Sequence, residues 1–199
     1  MTDNNLNDLN DLYVSWDQYH HKIEQLALKI YQSGWKFNQI VCLAKGGLRV
    51  GDVLARIYDV PLAILSAASY GFGSDDRDEE RSVKDHRGTL VFSDDLTKTT
   101  QHLGSHILLV DDLVDSGITL QKTIPWLDRK YGFYIEEVRS AVLWYKSCSI
   151  IKPDYYVDYL DYNPWIHQPF EKYETMKPGD LKSLEHAGKD EVIEGCHDV

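Results

Sequence analysis

The sequence predicts an α/β fold: a mainly parallel, twisted sheet flanked by helices, with a small hood near the C-terminus. Three apolar runs, at residues 39–44, 62–67 and 107–110, have the continuous hydrophobic character of strands buried on both faces. A helical pattern separates the first two runs, and this strand–turn–helix–strand order predicts a right-handed parallel unit. The length of 199 residues allows one good core and is short for two domains.

The first predicted element is a helix that follows a polar leader. Residues 1–12 are rich in Asn and Asp and lack periodicity, so we expect a mobile leader there. Ser15 and Gln18 have the spacing of a capping box, and Gly34 is placed to end the helix. Between them, four apolar residues recur at helical spacing: Ile23, Leu26, Ala27 and Ile30.

A second helix is predicted from Leu48 to Tyr58, after the turn Lys45-Gly46-Gly47. The stretch that follows, from Ser69 to Ser105, is mostly polar and contains one short strand-like segment, Thr89–Phe92. A polar stretch of this length inside a compact domain favours a lid containing a hairpin over a passive loop.

The last predicted elements are a helix at residues 119–130 and strands at 135–144 and 155–159. Pro125 is expected to kink or shorten that helix, because proline lacks the backbone donor. The expected organisation is a leader (1–12), a single folded domain (13–176) that includes a flexible lid (69–105) and a hood (144–176), and a polar tail (177–199).

Composition excludes several classes of protein. The net charge of −11 argues against a general surface for nucleic acid or anionic membranes. No apolar run is long enough to span a bilayer, and the polar N-terminus is unlike a secretory signal. Cys42, Cys148 and Cys196 are odd in number and lack a CxxC pair, which argues against disulfides or structural zinc. We therefore expect a cytoplasmic protein.

The most informative segment is residues 107–119, a buried strand followed by two acids and a small polar loop. Asp111 and Asp112 fall at the carboxyl end of the strand, where open α/β sheets place their ligands. Their carboxylates could accept hydrogen bonds from the hydroxyls of a sugar and help coordinate Mg²⁺. Residues 115–119 precede a predicted helix, whose positive end would attract a phosphate. The alternative is an acidic turn that only stabilises the next helix.

Two further sites have the chemistry of a ligand pocket. Lys45-Gly46-Gly47 ends a neighbouring strand and could cradle an anion, with Arg49 as a second candidate. This tripeptide alone is more often a plain turn. Lys146 and Trp165 each follow a predicted strand. A tryptophan on a loop is an efficient platform for a flat base, whereas its other interpretation is core or interface packing.

Together these residues resemble the type I phosphoribosyltransferases, in particular the bacterial xanthine–guanine (6-oxopurine) branch. The acid pair followed by Asp-Ser-Gly-x-Thr resembles the family's signature for 5-phosphoribosyl 1-pyrophosphate (PRPP). The similarity extends over most of residues 12–171 and is carried by these segments: Val14–Asp17, Lys45–Leu48, Ser69–Tyr70, residues 107–119, Lys146, Tyr156–Asp158 and Trp165–Glu171.

The resemblance implies a role for each matching residue. Asp111 and Asp112 would bind ribose and magnesium, and Asp115 would act as general acid or base at purine N7. The 5′-phosphate would be bound by Ser116, Gly117, Ile118 and Thr119, and pyrophosphate by Lys45, Gly46 and Gly47. Lys146 would bind the 6-oxo group of the base, Trp165 would stack on its ring, and the Ile166 backbone would contact it. A lid that begins at Ser69 and Tyr70 would cover the site. A homodimer or tetramer is also implied.

Several departures from the family pattern stand out. Lys45 occupies a position where the family usually has Arg. Lysine keeps the positive charge but lacks the bidentate fork of arginine. Ser116 stands where Thr is more frequent. The lid is longer and more acidic than in related members of the family. The tail beyond Tyr173 has no counterpart in them.

The function that the resemblance implies is magnesium-dependent transfer of the phosphoribosyl group from PRPP to guanine, xanthine or hypoxanthine in purine salvage. Two alternatives stay open: a non-catalytic regulator that senses PRPP or nucleotides on the same fold, and an enzyme that uses a pyrimidine or another small base.

Overall fold

The computed structural model describes residues 11–70 and 89–181, with all side chains in those ranges except those of residues 68–70 and 89. The strands, in chain order, are β1 (Leu12–Tyr13), β2 (Gln39–Ala44), β3 (Leu62–Tyr70), β4 (Thr89–Phe92), β5 (Thr97–Lys98), β6 (His106–Val110), β7 (Leu113–Val114), β8 (Glu137–Lys146), β9 (Tyr155–Leu160) and β10 (Ile166–His167). The helices are α1 (Trp16–Gln32), α2 (Gly47–Tyr58), α3 (Ile118–Tyr131) and α4 (Lys172–Thr175), with a 3₁₀ helix at Pro178–Asp180.

The chain forms two compact units, whereas the sequence predicts one domain over residues 13–176. The described part of the first unit comprises residues 11–19 and 164–181, and the second unit comprises residues 20–163. The predicted hood at 144–176 is therefore divided, because the end of β8 and all of β9 belong to the sheet of the second unit.

The second unit contains a mainly parallel sheet, which confirms the predicted fold class. β2 pairs in parallel with β3 on one side and with β6 on the other, and β8 pairs in parallel with β6, β7 and β9. Ile107, Leu108, Leu109 and Val110 are all 0% exposed, as expected of a strand covered on both faces. At the edge, β4 and β5 run antiparallel to β3.

The start of α1 confirms the predicted capping box. The Ser15 N–H donates to Gln18 Oε1 at 2.9 Å, and the Gln18 N–H donates to Ser15 Oγ at 3.2 Å. The apolar face is buried as predicted, and Gly34, with φ of 74°, lies just beyond the last turn.

Pro125 lies inside α3 and does not shorten it, so the expectation of a shorter helix was wrong. The helix runs through to Tyr131, and Leu120, Trp126 and Leu127 are buried in the core of the second unit. Burial of each such side chain contributes roughly 1.5–3 kcal/mol. Together these contributions outweigh the cost of about 3 kcal/mol for an interior proline.

Within the predicted lid, the described residues belong to the sheet edge. Antiparallel pairing of β3 with β4 places Tyr70 opposite Thr89, as expected for a hairpin. Leu96 is buried and β5 pairs with β3, so this part is anchored to the sheet. Residues 71–88, which hold the acidic part of the predicted lid, lie outside the described residues.

The first unit is built around a short parallel pairing of β1 with β10, in which Leu12 lies opposite Ile166. Leu12 was assigned to the leader from sequence, but this pairing makes it part of the fold. Residues 1–10 of the leader and 182–199 of the tail lie outside the described residues. None of the described helices combines the length and apolar character needed to cross a membrane.

Candidate active site

The loop Lys45-Gly46-Gly47 meets the acid pair at the carboxyl edge of the sheet. Because β2 and β6 are parallel neighbours, with Cys42 opposite Val110, both strands end at the same edge. A Cβ atom added to Gly46 would lie 2.3 Å from Asp112 Oδ1 and 3.0 Å from Asp111 Oδ1. Only a glycine leaves room for this approach. The Ala44–Lys45 peptide bond in this loop is cis.

Gly47 makes an equally close contact with the backbone of β6. A Cβ atom at this position would lie 2.4 Å from the Val110 carbonyl oxygen. The Gly47 backbone amide also acts on the Asp111 carboxylate, where it lowers the pKa and partly offsets the effect of burial. Since α2 begins at Gly47, the positive end of this helix lies against the acid pair.

The electrostatics of the acid pair favour a bound cation. Burial, and next the charge of Asp112, raise the pKa of Asp111 well above its usual range. The Asp111 Oδ1 atom accepts the Asp112 backbone N–H at 3.0 Å. Two adjacent carboxylates that are costly to ionise together are stabilised by a positive ion between or beside them.

Residues 115–119, the predicted phosphate loop, form a cleft together with the acid pair. The cleft has a volume of about 160 Å³ and is lined by Asp111, Asp112, Leu113, Val114, Asp115, Ser116, Gly117, Thr119 and Leu120. Gly117 has φ of 79° and directly precedes α3, so the first turn of the helix opens into the loop. The Ser116 Oγ atom accepts the Ile118 N–H at 3.4 Å. These groups could bind a phosphate through hydroxyl and backbone donors.

A segment that sequence reasoning missed supports the phosphate loop from behind. The Ile150 N–H donates to the Ser116 carbonyl at 3.0 Å. A Cβ atom on Gly117 would lie 2.3 Å from Ser149 Oγ and 2.7 Å from Ile151 Cγ2. No local pattern marks residues 149–151, because their role comes only from the turn that follows β8.

Lys146 and Asp115, predicted from separate segments, lie side by side. The distance between Lys146 Nζ and Asp115 Oδ1 is 3.5 Å. Lys146 is the last residue of β8 and is buried, whereas the Asp115 side chain is 55% exposed. Cys148, which was not predicted, places its Sγ atom 3.4 Å from Asp115 Oδ1. The site thus presents a cationic donor beside a carboxylate acceptor.

The other predicted residues are distributed as follows. Lys45 and Arg49 are exposed at the start of α2, next to the glycine loop. Ser69 and Tyr70 lie in β3, where their side chains are outside the description. Trp165 and Ile166 belong to the first unit: Trp165 is 62% exposed, and Ile166 is 8% exposed in β10.

The acid pair fits magnesium better than a metal held by protein alone. In the described ranges, no group of three or more His, Cys, Asp or Glu residues is arranged to hold a metal ion. Mg²⁺ is usually held by one or two carboxylates, with substrate phosphates and water completing its shell. Asp111 and Asp112 match that donor set, and the glycines beside them leave space for a phosphate.

Comparison with known proteins identifies the family. Residues 15–175 match the model of the phosphoribosyl transferase domain. The xanthine-guanine phosphoribosyltransferase of Roseobacter denitrificans is 31% identical over 115 residues, or 55% of this chain and 60% of the relative. The enzyme of that name from Gluconobacter oxydans is 27% identical over 177 residues, or 85% of this chain and 90% of the relative.

The fold comparison agrees. The crystal structure of the purine phosphoribosyltransferase from Pyrococcus horikoshii has a TM-score of 0.64 at 24% identity, covering 84% of this chain and 99% of that one. The chain spans about 60% of the length of the Roseobacter relative. Because the domain model covers most of the sequence and the parallel sheet carries the acid pair at its carboxyl edge, the protein belongs to the phosphoribosyltransferase family, with a type I fold close to that of the xanthine–guanine enzymes.

Proposed function

We propose that this protein transfers the phosphoribosyl group of PRPP to a 6-oxopurine, namely guanine, xanthine or hypoxanthine. The products would be the nucleoside monophosphate and pyrophosphate, as in purine salvage. The observation that carries the proposal is the shared cleft, in which the acid pair and the phosphate loop lie together while Gly46 touches the same acids.

The reaction breaks the bond between ribose C1 and the pyrophosphate oxygen. Positive charge develops at C1 while negative charge develops on the leaving group, so catalysis consists of alignment and charge stabilisation. The backbone N–H groups of Gly46 and Gly47, with the Lys45 ammonium, would stabilise the departing pyrophosphate. Asp111 and Asp112 would accept hydrogen bonds from the ribose hydroxyls.

The 5′-phosphate would bind at the start of α3. Ser116 and Thr119 supply hydroxyl groups, and Gly117 and Ile118 supply backbone N–H groups at the positive end of the helix. Asp111 and Asp112 would hold Mg²⁺, which when bound supplies positive charge that neutralises the pyrophosphate.

The pairing of Lys146 with Asp115 supports a 6-oxopurine as the base. In such a purine, the 6-oxo oxygen and N7 are neighbouring atoms on one edge of the ring. The Lys146 ammonium would donate to the oxygen, and Asp115 would take the N7 proton as N9 bonds to ribose C1. Adenine presents an amino donor at position 6, to which an ammonium group cannot donate. The distance of 3.5 Å between the two side chains suits two polar atoms on the same edge of one base.

The remaining assignments rest on the sequence resemblance. Trp165 would stack on the base, and the Ile166 backbone would contact its 2-position. Ser69 and Tyr70 would begin a lid that excludes water from the cleft, which limits hydrolysis of the activated sugar.

Steady-state assays with Mg²⁺, PRPP and each of the three bases test the proposal. We expect turnover with at least one of them, and a decrease of roughly 100- to 10,000-fold in turnover for Asp115→Asn, with PRPP binding retained. Asp161→Asn, a change at an exposed carboxylate in the same unit, is the matched control. Absence of turnover in the wild type contradicts the proposal. If PRPP still binds, that result favours the regulator, and turnover with uracil instead favours a pyrimidine enzyme.

A further inference from the structure

Trp165, the residue to which the proposed function assigns the base, has its indole fixed by a hydrogen bond. The ring is 62% exposed, so packing alone leaves it room to turn. Its Nε1–H donates to Glu171 Oε1 at 2.7 Å. A bond to a carboxylate is stronger than one between neutral groups, so it restricts rotation of the indole.

The second oxygen of Glu171 leads to a histidine between two carboxylates. Glu171 Oε2 lies 2.9 Å from His167 Nδ1, and His167 Nε2 lies 3.2 Å from Asp11 Oδ2. Carboxylates only accept, so both contacts are hydrogen bonds only when the imidazole is protonated on both nitrogens. Burial lowers the pKa of His167, but the hydrogen bonds with Asp11 and Glu171 outweigh it, and the net pKa is raised.

Asp11 closes this chain of hydrogen bonds back onto the tryptophan. Its Oδ1 atom accepts the Trp165 backbone N–H at 3.3 Å, and the Leu12 N–H donates to the Trp165 carbonyl at 2.8 Å. Asp11 therefore holds the Trp165 backbone and Glu171 holds its indole, while His167 joins the two carboxylates. We call Asp11, His167 and Glu171 the tryptophan clamp.

Two features indicate that the clamp serves the tryptophan ring rather than the stability of the unit alone. The hydrogen bonds begin and end at Trp165, yet the ring that they orient stays exposed instead of being covered. The imidazole plane is itself fixed, because the Tyr13 ring stacks on His167 at 4.3 Å with an interplanar angle of 14°.

We propose that Asp11, His167 and Glu171 are positioning residues that orient the Trp165 ring to receive a purine base. This inference rests on the proposed function. A ring held in its bound orientation loses less conformational entropy when the base stacks on it, so opening the clamp weakens base binding by about 3- to 10-fold. PRPP binding does not involve the clamp and stays unchanged.

The clamp also makes base binding depend on pH. Five residues of the first unit surround His167. They are Asp11 before β1, Tyr13 in β1, Trp165 before β10, and Glu171 and Lys172 at the start of α4. Below the pKa of His167 both hydrogen bonds are present. As pH rises through that pKa, the neutral ring can donate to only one carboxylate and turns a lone pair toward the other. The KM for the base therefore rises with pH.

Kinetics of four full-length variants test the inference. The KM for guanine, the KM for PRPP and kcat are measured for Glu171→Ala, Glu171→Gln, His167→Gln and the control Glu174→Ala, from about pH 6 to 9. We expect Glu171→Ala to raise the KM for guanine alone, by about 3- to 10-fold at pH 6. Glu171→Gln keeps an oxygen for the indole N–H and recovers much of the effect. His167→Gln removes the rise of the guanine KM with pH, and Glu174→Ala, at an exposed position of α4, matches the wild type.

Three results would overturn the inference that the tryptophan clamp orients Trp165. With an active wild type, an unchanged guanine KM in Glu171→Ala refutes the clamp and leaves the proposed function standing. An equal rise in both KM values, together with a lower melting temperature, shows a structural role only. A wild type without turnover for any base refutes the proposed function, and the inference with it.

Discussion

Replacing Gly47 with alanine tests the contact between the glycine loop and β6. The new Cβ atom would lie 2.4 Å from the Val110 carbonyl oxygen, 3.0 Å from Asp111 Cα and 3.1 Å from the Val110 carbonyl carbon. All three are backbone atoms at the end of a buried strand, so none can rotate away. Ordinary contact begins at about 3.4 Å, and the loop must therefore move back by about 1 Å.

The size of this displacement sets the expected effect. Overpacking of a well-packed site costs roughly 1–3 kcal/mol, whereas the helix preference of alanine over glycine returns at most about 1 kcal/mol. We expect the free energy of unfolding to fall by about 1–2 kcal/mol. Displacement of a positioning loop by about 1 Å can lower a rate on the order of 100-fold. Because Gly47 packs against the Asp111 backbone and Gly46 against the Asp112 carboxylate, we expect kcat/KM for PRPP to fall by about 10- to 100-fold.

Urea unfolding and PRPP kinetics measure the two effects. Gly179→Ala is the control, since a Cβ atom there meets nothing within 4 Å. A Gly47→Ala protein with wild-type stability and wild-type kcat/KM for PRPP would show that the loop does not press against β6.

Two further predictions concern side chains of the same unit. Lys146→Met keeps the length of a buried side chain but removes its ammonium group. The KM for guanine should therefore rise about 10- to 100-fold, while the KM for PRPP is unchanged. An unaltered guanine KM in steady-state assays would exclude a contact with the 6-oxo group. Burial raises the pKa of Cys42 to about 12, and partial burial and the Asp115 carboxylate also raise the pKa of Cys148. Because only Cys148 is exposed of these two, iodoacetamide near pH 8 should modify Cys148 and spare Cys42 until the protein is denatured. Peptide mapping by mass spectrometry distinguishes the two, and rapid native labelling of Cys42 would contradict its burial.

The elements that were predicted correctly are those with a strong local pattern. The capping box of α1 and the apolar runs of β2 and β6 are each encoded in a few adjacent residues. The meeting of the Lys45 loop with the acid pair also followed from sequence, because parallel neighbours end at one edge of a sheet. Local pattern combined with one topological rule was therefore sufficient to bring the Lys45 loop and the acid pair to one edge of the sheet.

The features that were missed depend on contacts between distant segments. β5 and β7 have two residues each, too few to show a period of two. Cys148 lies 33 residues from Asp115 in sequence, and their contact exists only because β8 ends where the phosphate loop begins. The pairing of Leu12 with Ile166 likewise depends on residues at opposite ends of the chain, so no local signal could place Leu12 in a strand.

The position of helix starts explains how an acidic chain could bind PRPP, the strongly anionic substrate of the proposed function. The net charge of −11 would repel PRPP if the field at the cleft followed the overall charge. However, α2 begins two residues after Lys45 and α3 begins directly after Gly117, so both helices start at the carboxyl edge of the parallel sheet. Each helix start carries about half a positive charge, and this charge is fixed by the backbone. The local field at the site is thus set by the sheet topology, and Lys45 and the cation expected at the acid pair add to it. The acidic surface can then favour solubility without repelling PRPP from the cleft.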